Sequence, residues 1–166
     1  VKDIALMITT DIIKLDHIDS SAYHLGNLGV AYLGKRNYRD AKSLLREAIR
    51  LKSDARIYSA LADVLFEEGD HVYKPVDEDA MRLAFEEAIH FYDKSIKMKP
   101  DSLFAWNNKG WVLTALGHHE QAITCYDKAI ALDNTLAKAW NNKAFSLSRI
   151  GRRREDISCF REAINC

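Results

Sequence analysis

The sequence is poor in the residues that interrupt helices and in cysteine. Its 166 residues include two prolines, seven glycines and three cysteines. So few prolines and glycines argue against an all-β protein with many tight turns and against low-complexity linkers. The odd number of cysteines, Cys125, Cys159 and Cys166, argues against a disulfide framework. We therefore expect a protein of a reducing compartment, the cytoplasm.

An excess of one charge and a long apolar run are also missing. The 24 basic and 24 acidic residues give a formal net charge of zero, whereas proteins that bind nucleic acids or membrane surfaces usually carry a basic excess. No run of about 18 apolar residues is present, so the sequence predicts no transmembrane helix. The composition, 48% hydrophobic and 29% charged, is that of a globular protein with its own core.

What the sequence does contain is an internal repeat. Residues 105–117 read AWNNKGWVLTALG, and residues 139–151 read AWNNKAFSLSRIG, an offset of thirty-four positions. When residues 103–132 are aligned with residues 137–166, eleven of thirty positions are identical. Identity of this extent at one fixed offset indicates tandem structural repeats.

The same pattern of apolar and small residues extends over most of the chain. It divides the sequence after residue 21 into four units, which are 22–55, 56–102, 103–136 and 137–166. The second unit is longer than the others because it carries an insertion near 70–82. For this insertion we predict a loop as far as Val76 and then an extension of the following helix from a cap at Asp77 or Asp79.

Each unit has the pattern of two helices. Apolar and small residues recur at intervals of three and four, as Trp106, Gly110 and Leu113 do in the third unit. Gly117 separates the two halves of that unit. Small residues such as Gly29 and Gly110 are expected where two helices approach each other closely.

The spacing of these residues resembles that of the tetratricopeptide repeat family. The pattern W-x2-L/K-G/A-x2-Y/L, followed by A, Y/F, A and P, covers about residues 22–166. The resemblance implies an all-α fold, an α-solenoid of helix-turn-helix repeats that forms a right-handed superhelix. The second repeat departs most from the pattern, because Ser59, Ala62 and Asp63 replace its aromatic, leucine and glycine positions.

The segment 1–21 lies outside the repeat pattern. Ile4, Ile8, Ile12 and Leu15 form one stripe, which predicts an amphipathic helix in this segment that caps the first repeat. Alternatively, the segment docks in the protein's own groove or in that of a sister chain.

The fourth repeat is not followed by a polar capping helix, which solenoids normally need. We therefore expect a truncated chain, or another chain that covers Ile157, Phe160 and Ile164. Asp156 stands where the third repeat has Ala122. A buried carboxylate is costly, so we expect either loose packing of the last helix pair or an Asp156 side chain that reaches solvent.

No motif for catalysis or cofactor binding is found. The sequence contains no GxxxxGK(S/T), GxGxxG, HExxH or GxSxG. His118 and His119 lack the i, i+4 spacing of a zinc helix, and Cys125 and Cys159 have no CxxC spacing and are interpreted as buried core thiols. The acidic insertion lacks the spacing and turn glycine of a calcium loop. We therefore expect no enzyme activity, no metal and no cofactor.

The resemblance implies that the first helix of each repeat lines a concave groove. A helical wheel places the groove residues opposite the stripe that faces the stack. The predicted groove residues are Tyr23, Asn27, Val30, Ile57, Leu61, Val64, Phe104, Asn107, Asn108, Trp111, Lys138, Asn141, Asn142, Phe145 and Arg149.

Two features of this face point to a polypeptide partner. Asn27, Asn108 and Asn142 hold the same repeat position, and an amide both donates to and accepts from a peptide backbone; the alternative is a surface asparagine without a ligand. The aromatic and aliphatic members of the set, Trp111 and Phe145 among them, form an apolar wall, which is uncommon on a surface without a partner. The alternative is that some of them pack between helices of the stack.

Charge gives weaker indications. The cationic clamp with which the family binds acidic chaperone tails is mostly missing, since only Asn108 and Lys138 match it. Residues 56–102 carry 6 basic and 11 acidic residues, whereas residues 137–166 carry 7 basic and 3 acidic residues. This polarity predicts a charged partner or head-to-tail association, or it reflects a solvated turn rich in arginine. No aromatic residues alternate with these arginines, so RNA binding is not expected.

We therefore interpret the protein as a non-catalytic scaffold that binds an extended or helical peptide segment of a partner. The alternative is a self-associating structural solenoid, a homo-oligomer formed through the C-terminal repeat.

Overall fold

The computed structural model describes the backbone of residues 2–74 and 76–166, and the side chains of residues 17–74 and 76–166. Within that backbone the protein contains helices and turns but no β-strand, which confirms the all-α prediction. The α-helices are Lys2–Gly34 (α1), Tyr38–Leu51 (α2), Ala55–Glu68 (α3), Glu78–Met98 (α4), Leu103–Ala115 (α5), His119–Leu132 (α6), Ala137–Arg149 (α7) and Arg153–Asn165 (α8).

Local sequence explains where several helices begin. Asn37, Asp54 and Asp77 stand directly before α2, α3 and α4, and each side chain accepts a hydrogen bond from a backbone N–H of the first turn. Such caps satisfy donors that the helix itself leaves unpaired. The cap at Asp77 confirms one of the two positions predicted for it.

Two glycines close turns that other residues adopt only with strain. Gly117 follows α5 with φ of +80°, and Gly151 follows α7 with φ of +79°. This left-handed conformation favours glycine because a Cβ would clash with the backbone. The predicted break at Gly117 is thus confirmed, and Gly151 repeats it at the equivalent position of the fourth repeat.

Neighbouring helices pair as the repeat pattern predicted, with a small residue of the first helix against a large one of the second. A Cβ added at Gly110 would lie 2.6 Å from Cε1 of Tyr126, and one added at Gly29 would lie 2.6 Å from Cγ of Leu45. These contacts require glycine, and they bring α5 onto α6 and α1 onto α2.

The second repeat is built differently because of its insertion. The predicted loop is wrong for residues 69–73, which form a π-helical turn that continues α3. A Cβ added at Gly69 would lie 2.6 Å from Cε1 of Phe85, and the rings of Phe85 and Phe66 lie 5.1 Å apart. The insertion therefore lengthens both helices and adds a second close contact between them, and burial of Phe85 stabilises the extra turns.

At the N-terminus one helix joins the predicted capping segment 1–21 to the first repeat, which the sequence pattern had separated. Helix α1 runs from Lys2 to Gly34 without a break between residues 21 and 22, so the first repeat shares its first helix with the predicted capping segment. The side chains of Ile4, Ile8, Ile12 and Leu15 lie outside the described residues, and their predicted capping role stays a prediction.

The last helix pair packs in spite of its buried acid. Ala144, Leu147 and Cys159 are buried together with Ile123 of the preceding repeat. Asp156 is buried as well, so the expectation that it reaches solvent is wrong, and so is the expected loose packing. Asp156 lies about one turn before Cys159 on the same helical face, so burial of Cys159 against α7 brings Asp156 inside.

Candidate functional site

Most of the predicted groove residues lie at the surface. Asn108 is half-buried. The exposed members of the set are Tyr23, Asn27, Val30, Phe104, Trp111, Lys138, Asn141, Phe145 and Arg149. The wheel therefore identified exposed positions on α1, α5 and α7, although Asn107 and Asn142 of the predicted set are buried.

The prediction is wrong for the second repeat, where Ile57, Leu61 and Val64 are buried. They belong to one core cluster that also contains Ala105 and Val112 of α5 and partly buried residues of α1. Helix α3 is thus covered by the helices on both sides of it. The burial of α3 could have been predicted from its sequence, because the helix is apolar around most of its circumference, as buried helices are.

The concave side contains a cavity of about 510 Å³ that is lined by residues of all four repeats. It is lined by Leu33, Asp63, Phe66, Glu67, Tyr92, Asn108, Trp111, Lys138 and Asn142. Asn108, Trp111, Lys138 and Asn142 were predicted for the groove. The wheel missed the remaining five because Leu33, Phe66 and Glu67 lie near the ends of their helices, Asp63 stands at a position reserved for a small residue, and Tyr92 belongs to a second helix.

A smaller cavity of about 260 Å³ lies between α1 and α3. Tyr23, Asn27 and Val30 line it, and Ile57 forms part of its wall. The guanidinium of Arg56 lies 5.7 Å from the centre of the Tyr23 ring, within the range of a cation–π interaction. The predicted residues of the first repeat therefore line this smaller cavity and not the large one.

The asparagines bind one another rather than standing free. Nδ2 of Asn142 donates to Oδ1 of Asn107 at 3.2 Å, and Nδ2 of Asn107 donates to Oδ1 of Asn108 at 3.1 Å. Nδ2 of Asn108 then donates to Oδ1 of Asp63 at 3.1 Å. Asn107 and Asn142 are buried, at 1% and 5% exposure. Asn142, a member of the predicted amide ladder, therefore uses its Nδ2 to connect two repeats, and Asn107, which was predicted for the groove, is buried in the same connection.

Asp63 ends this chain of hydrogen bonds at the floor of the large cavity. The hydroxyl of Tyr92 also donates to Oδ1 of Asp63. Burial raises the pKa of Asp63, and the nearby Glu67 adds to the rise, while the two hydrogen bonds and Lys138 act against it. Burial, followed by the negative field of Asp63, raises the pKa of Tyr92. One sequence signal pointed here, since Asp63 replaces the expected glycine opposite Tyr92.

An exposed aromatic pair borders the same cavity. The rings of Trp111 and Phe145 lie 6.4 Å apart at an angle of 48°, and both side chains are at least two-fifths exposed. Tilted aromatic pairs of this kind present a large apolar surface with a defined geometry. A cavity with an acidic floor therefore lies next to an apolar rim.

The remaining candidate features are the cysteines, a possible metal site and a possible membrane-spanning helix. Cys125 and Cys159 are buried, which confirms the prediction of core thiols, and burial raises the pKa of Cys125 to about 11. In the described part of the chain no three His, Cys, Asp or Glu side chains group closely enough to hold a metal ion. Within the same residues no helix combines the length and apolarity needed to cross a bilayer.

The comparison with known families agrees with this architecture. Residues 104–136 and residues 27–72 each match a family model described as tetratricopeptide repeat. The chain thus contains tetratricopeptide repeats, as its sequence predicted. Proteins of this kind are generally interaction scaffolds for other proteins. No curated protein matches the sequence of this chain.

Solved structures share the fold. A crystal structure of MamA has a TM-score of 0.74 at 22% identity, over 94% of this chain and 82% of that chain. Residues 41 to the end of MamA from Desulfovibrio magneticus give 0.73 at 19% identity, over 87% of this chain and 75% of that chain. YrrB, described as a TPR protein with an unusual peptide-binding site, gives 0.70 at 16% identity, over 95% of this chain and 80% of that chain. These similarities confirm the α-solenoid.

Proposed function

We propose that this protein is a non-catalytic scaffold that binds a peptide segment of a partner protein along the concave side of α3, α5 and α7. The exposed pair of Trp111 and Phe145 beside the large cavity is the observation on which the proposal rests. Large aromatic side chains supply most of the binding energy at protein interfaces, and cavities bordered by them are the usual sites of ligand binding.

Two further observations support a peptide as the ligand. Phe104 and Lys138 continue the exposed face beyond the aromatic pair, so the surface is longer than one side chain. A protein of the same fold, YrrB, is described as having an unusual peptide-binding site. Asn108 and Asn142 of the predicted ladder both line the cavity, and an amide group there would fix the register of a bound segment.

Selection from a library of random dodecapeptides tests this proposal. Peptides are selected on the protein and then measured against a variant that combines Trp111→Ala with Phe145→Ala. We expect the selected peptides to lose binding by at least about tenfold, which corresponds to about 1.4 kcal/mol. Phe160→Ala is the matched control, because Phe160 is an equally exposed aromatic side chain on α8.

Thermal unfolding of the same variants separates binding from folding. Trp111 and Phe145 are 40% and 46% exposed, so their removal is expected to lower the free energy of unfolding by less than the ~3–5 kcal/mol that loss of a fully buried aromatic residue costs. Selected peptides that bind the double variant as well as the wild type would contradict the proposal. A Trp111→Ala variant that unfolds would show that Trp111 belongs to the core instead.

Self-association is the second candidate function, and the surface of α7 and α8 favours it. Ile123 and Tyr126 are buried where the third repeat meets the fourth, whereas Ile157 and Phe160, at the same positions of the fourth repeat, are exposed. Phe160 lines a further surface cavity together with Ile164. A face that repeats a buried one but stays exposed fits a second repeat array of the same chemistry.

Sedimentation velocity over a range of protein concentrations tests this candidate. If copies associate through this face, the sedimentation coefficient rises with concentration, and Phe160→Glu abolishes the rise. Phe104→Glu, an equally apolar exposed residue of α5, serves as the control. A monomer at every concentration would exclude this function.

We also propose a cytoplasmic location, which the three free cysteines support. Fractionation of cells that produce the protein, with detection by antibody, tests it. Recovery of the protein outside the cytoplasmic fraction would contradict it.

A further inference from the structure

The large cavity presents an excess of hydrogen-bond acceptors and of negative charge. Asp63 and Glu67 line it with two carboxylates, and Lys138 is the cation among its lining residues. Both hydrogen bonds given to Asp63 end on Oδ1, so Oδ2 has no partner among the described side chains. A carboxylate accepts up to about four hydrogen bonds, and Asp63 therefore keeps capacity for a donor.

Asn142 adds a second, independent acceptor. Its side chain is 5% exposed and lines the cavity. Its Nδ2 is used by Asn107, whereas its Oδ1 has no partner among the described residues. This oxygen is not fully enclosed by the protein, so it is free to accept a hydrogen bond at the cavity. This oxygen and the carboxylates thus call for the same kind of ligand, a group that donates and does not accept.

Aromatic rings complete the walls. Phe66, Tyr92 and Trp111 line the cavity around the two carboxylates. The face of an aromatic ring attracts a cation, by about 0.5–2 kcal/mol depending on its exposure to water. Guanidinium and ammonium groups carry a positive charge, only donate hydrogen bonds and also pack on aromatic faces.

On the basis of the function proposed above, we propose that this cavity receives a lysine or arginine side chain of the partner peptide. Its cationic head binds Asp63, Glu67 and Oδ1 of Asn142, and its aliphatic stem passes Trp111. No cation among the described residues forms an ion pair with Asp63, so its buried carboxylate has no compensating charge in direct contact. The peptide's basic residue supplies this missing charge.

Three neighbouring groups set the strength of the interaction. Oε2 of Glu67 lies 3.4 Å from Nδ1 of the exposed His71 ring, so this carboxylate already has a polar neighbour. Lys138 lies close enough to lower the pKa of Asp63, and it repels an incoming cation. Tyr92 holds Oδ1 of Asp63 in place by its hydrogen bond. Removal of Lys138 is therefore expected to strengthen binding of a cationic peptide, whereas removal of Asp63 weakens it.

The dodecapeptides selected on the wild-type protein provide the first test. We expect lysine or arginine at one fixed position among those that depend on Trp111. Replacement of that residue by citrulline, which keeps the shape of arginine and removes its charge, is expected to weaken binding at least about tenfold. Peptides that depend on Trp111 but bind equally well with citrulline would overturn this inference and leave the proposed function intact. The absence of any Trp111-dependent peptide would overturn both.

Protein variants provide the second test. Asp63→Asn keeps the shape of the side chain. It is expected to weaken binding of a selected peptide that carries arginine, called the arginine peptide, at least about tenfold, and Glu67→Gln is expected to weaken the same binding by less. Lys138→Met is expected to tighten binding about two- to fivefold. Glu86→Gln, on the outer surface of α4, removes one charge elsewhere and is the control. Unchanged affinity for the arginine peptide in both Asp63→Asn and Lys138→Met would contradict the inference. If one of the two variants folds poorly, unchanged affinity in the other contradicts it.

NMR locates the binding site directly. The indole N–H groups of Trp106 and Trp140 are occupied by the carbonyl oxygens of Pro100 and Asn134 at 2.9 and 2.8 Å. Their signals serve as internal references in a titration with the arginine peptide. The indole signal of Trp111 is expected to move and the other two to stay in place. Equal movement of all three signals would place the peptide elsewhere.

Discussion

Nδ2 of Asn142 donates a hydrogen bond of 3.2 Å to Oδ1 of Asn107, in the preceding repeat. The bond joins the first helices of two successive repeats. With Asn108 it extends to Asp63, so polar side chains connect the second, third and fourth repeats along the concave side. Because each repeat of a solenoid contacts only its neighbours, such bonds couple the stability of adjacent units.

The coupling predicts a difference between two adjacent asparagines. Asn142→Ala leaves the buried Oδ1 of Asn107 without its donor, and we expect a loss of about 1–3 kcal/mol in the free energy of unfolding. Asn141→Ala removes an exposed side chain and is expected to stay within about 0.5 kcal/mol of the wild type. Urea denaturation measures both. Equal effects of the two variants would show that the amide chain does not stabilise the stack.

The pKa of Asp63 predicts how stability depends on pH. Burial raises this pKa above its ordinary value of 3.8, so between the unfolded and the folded pKa the folded protein binds more protons. The contribution of Asp63 to stability is therefore greatest below the unfolded pKa and is lost as pH rises through the folded pKa. Urea denaturation at intervals from about pH 4 to pH 8 is expected to show this decline, and Asp63→Asn is expected to reduce it.

Glu67, Tyr92 and Lys138 surround Asp63 and remain in that variant, so the difference between the two pH profiles reports on Asp63. A wild-type profile identical in shape to that of Asp63→Asn would contradict the prediction.

Two glycines predict opposite effects of the same substitution. Gly110→Ala places a Cβ 2.6 Å from Cε1 of the buried Tyr126, and we expect a loss of about 1–3 kcal/mol because the helices must move apart. A Cβ at Gly34 meets no atom within 4 Å, so Gly34→Ala is expected to stabilise the protein by about 0.5–1 kcal/mol through helix propensity. Thermal unfolding distinguishes the two, and a stable Gly110→Ala would refute the close approach of α5 and α6.

Asp156 predicts a stabilising substitution. Its Oδ1 is buried and has no hydrogen-bond partner, which costs about 1–3 kcal/mol. Its negative charge lies in the first turn of α8, where the helix dipole stabilises it by about 0.3–1 kcal/mol. The first effect is larger, so Asp156→Ala, which restores the alanine of the third repeat, is expected to raise the melting temperature. Asp156→Asn is the companion variant, and a lower melting temperature in both would show that the carboxylate has a partner.

How far sequence reasoning reached differs between elements. The helix pairs, the turn at Gly117 and the cap at Asp77 were predictable, because each depends on residues within a few positions of one another. The helical turn at residues 69–73 was not, because it forms against Phe85, which lies several helical turns further along the chain. The exposed positions of Trp111 and Phe145 followed from the helix period alone.

The concave site itself was predicted in part. Asn108, Trp111, Lys138 and Asn142, which were predicted for the groove, all line the cavity. Asn107 and Asn142 were both predicted to bind a ligand, whereas Oδ1 of Asn107 and Nδ2 of Asn142 bind each other. An amide makes the same hydrogen bonds with a peptide backbone as with a second amide, so the chemistry of the side chain could not distinguish the two partners.

The sequence by itself determined the unit of this protein: a helix pair that recurs at a fixed interval, with small residues where the two helices touch. This information is local, because helix period and helix pairing act over a few turns. Only the tertiary structure decided which outward faces remain open. Ile57, Leu61 and Val64 became core because helices of both neighbouring repeats cover α3, and Asp63 became the floor of a cavity because Tyr92 and Asn108 hold it there. Coverage of a face depends on how successive pairs stack, and stacking is set by contacts between residues far apart in the chain.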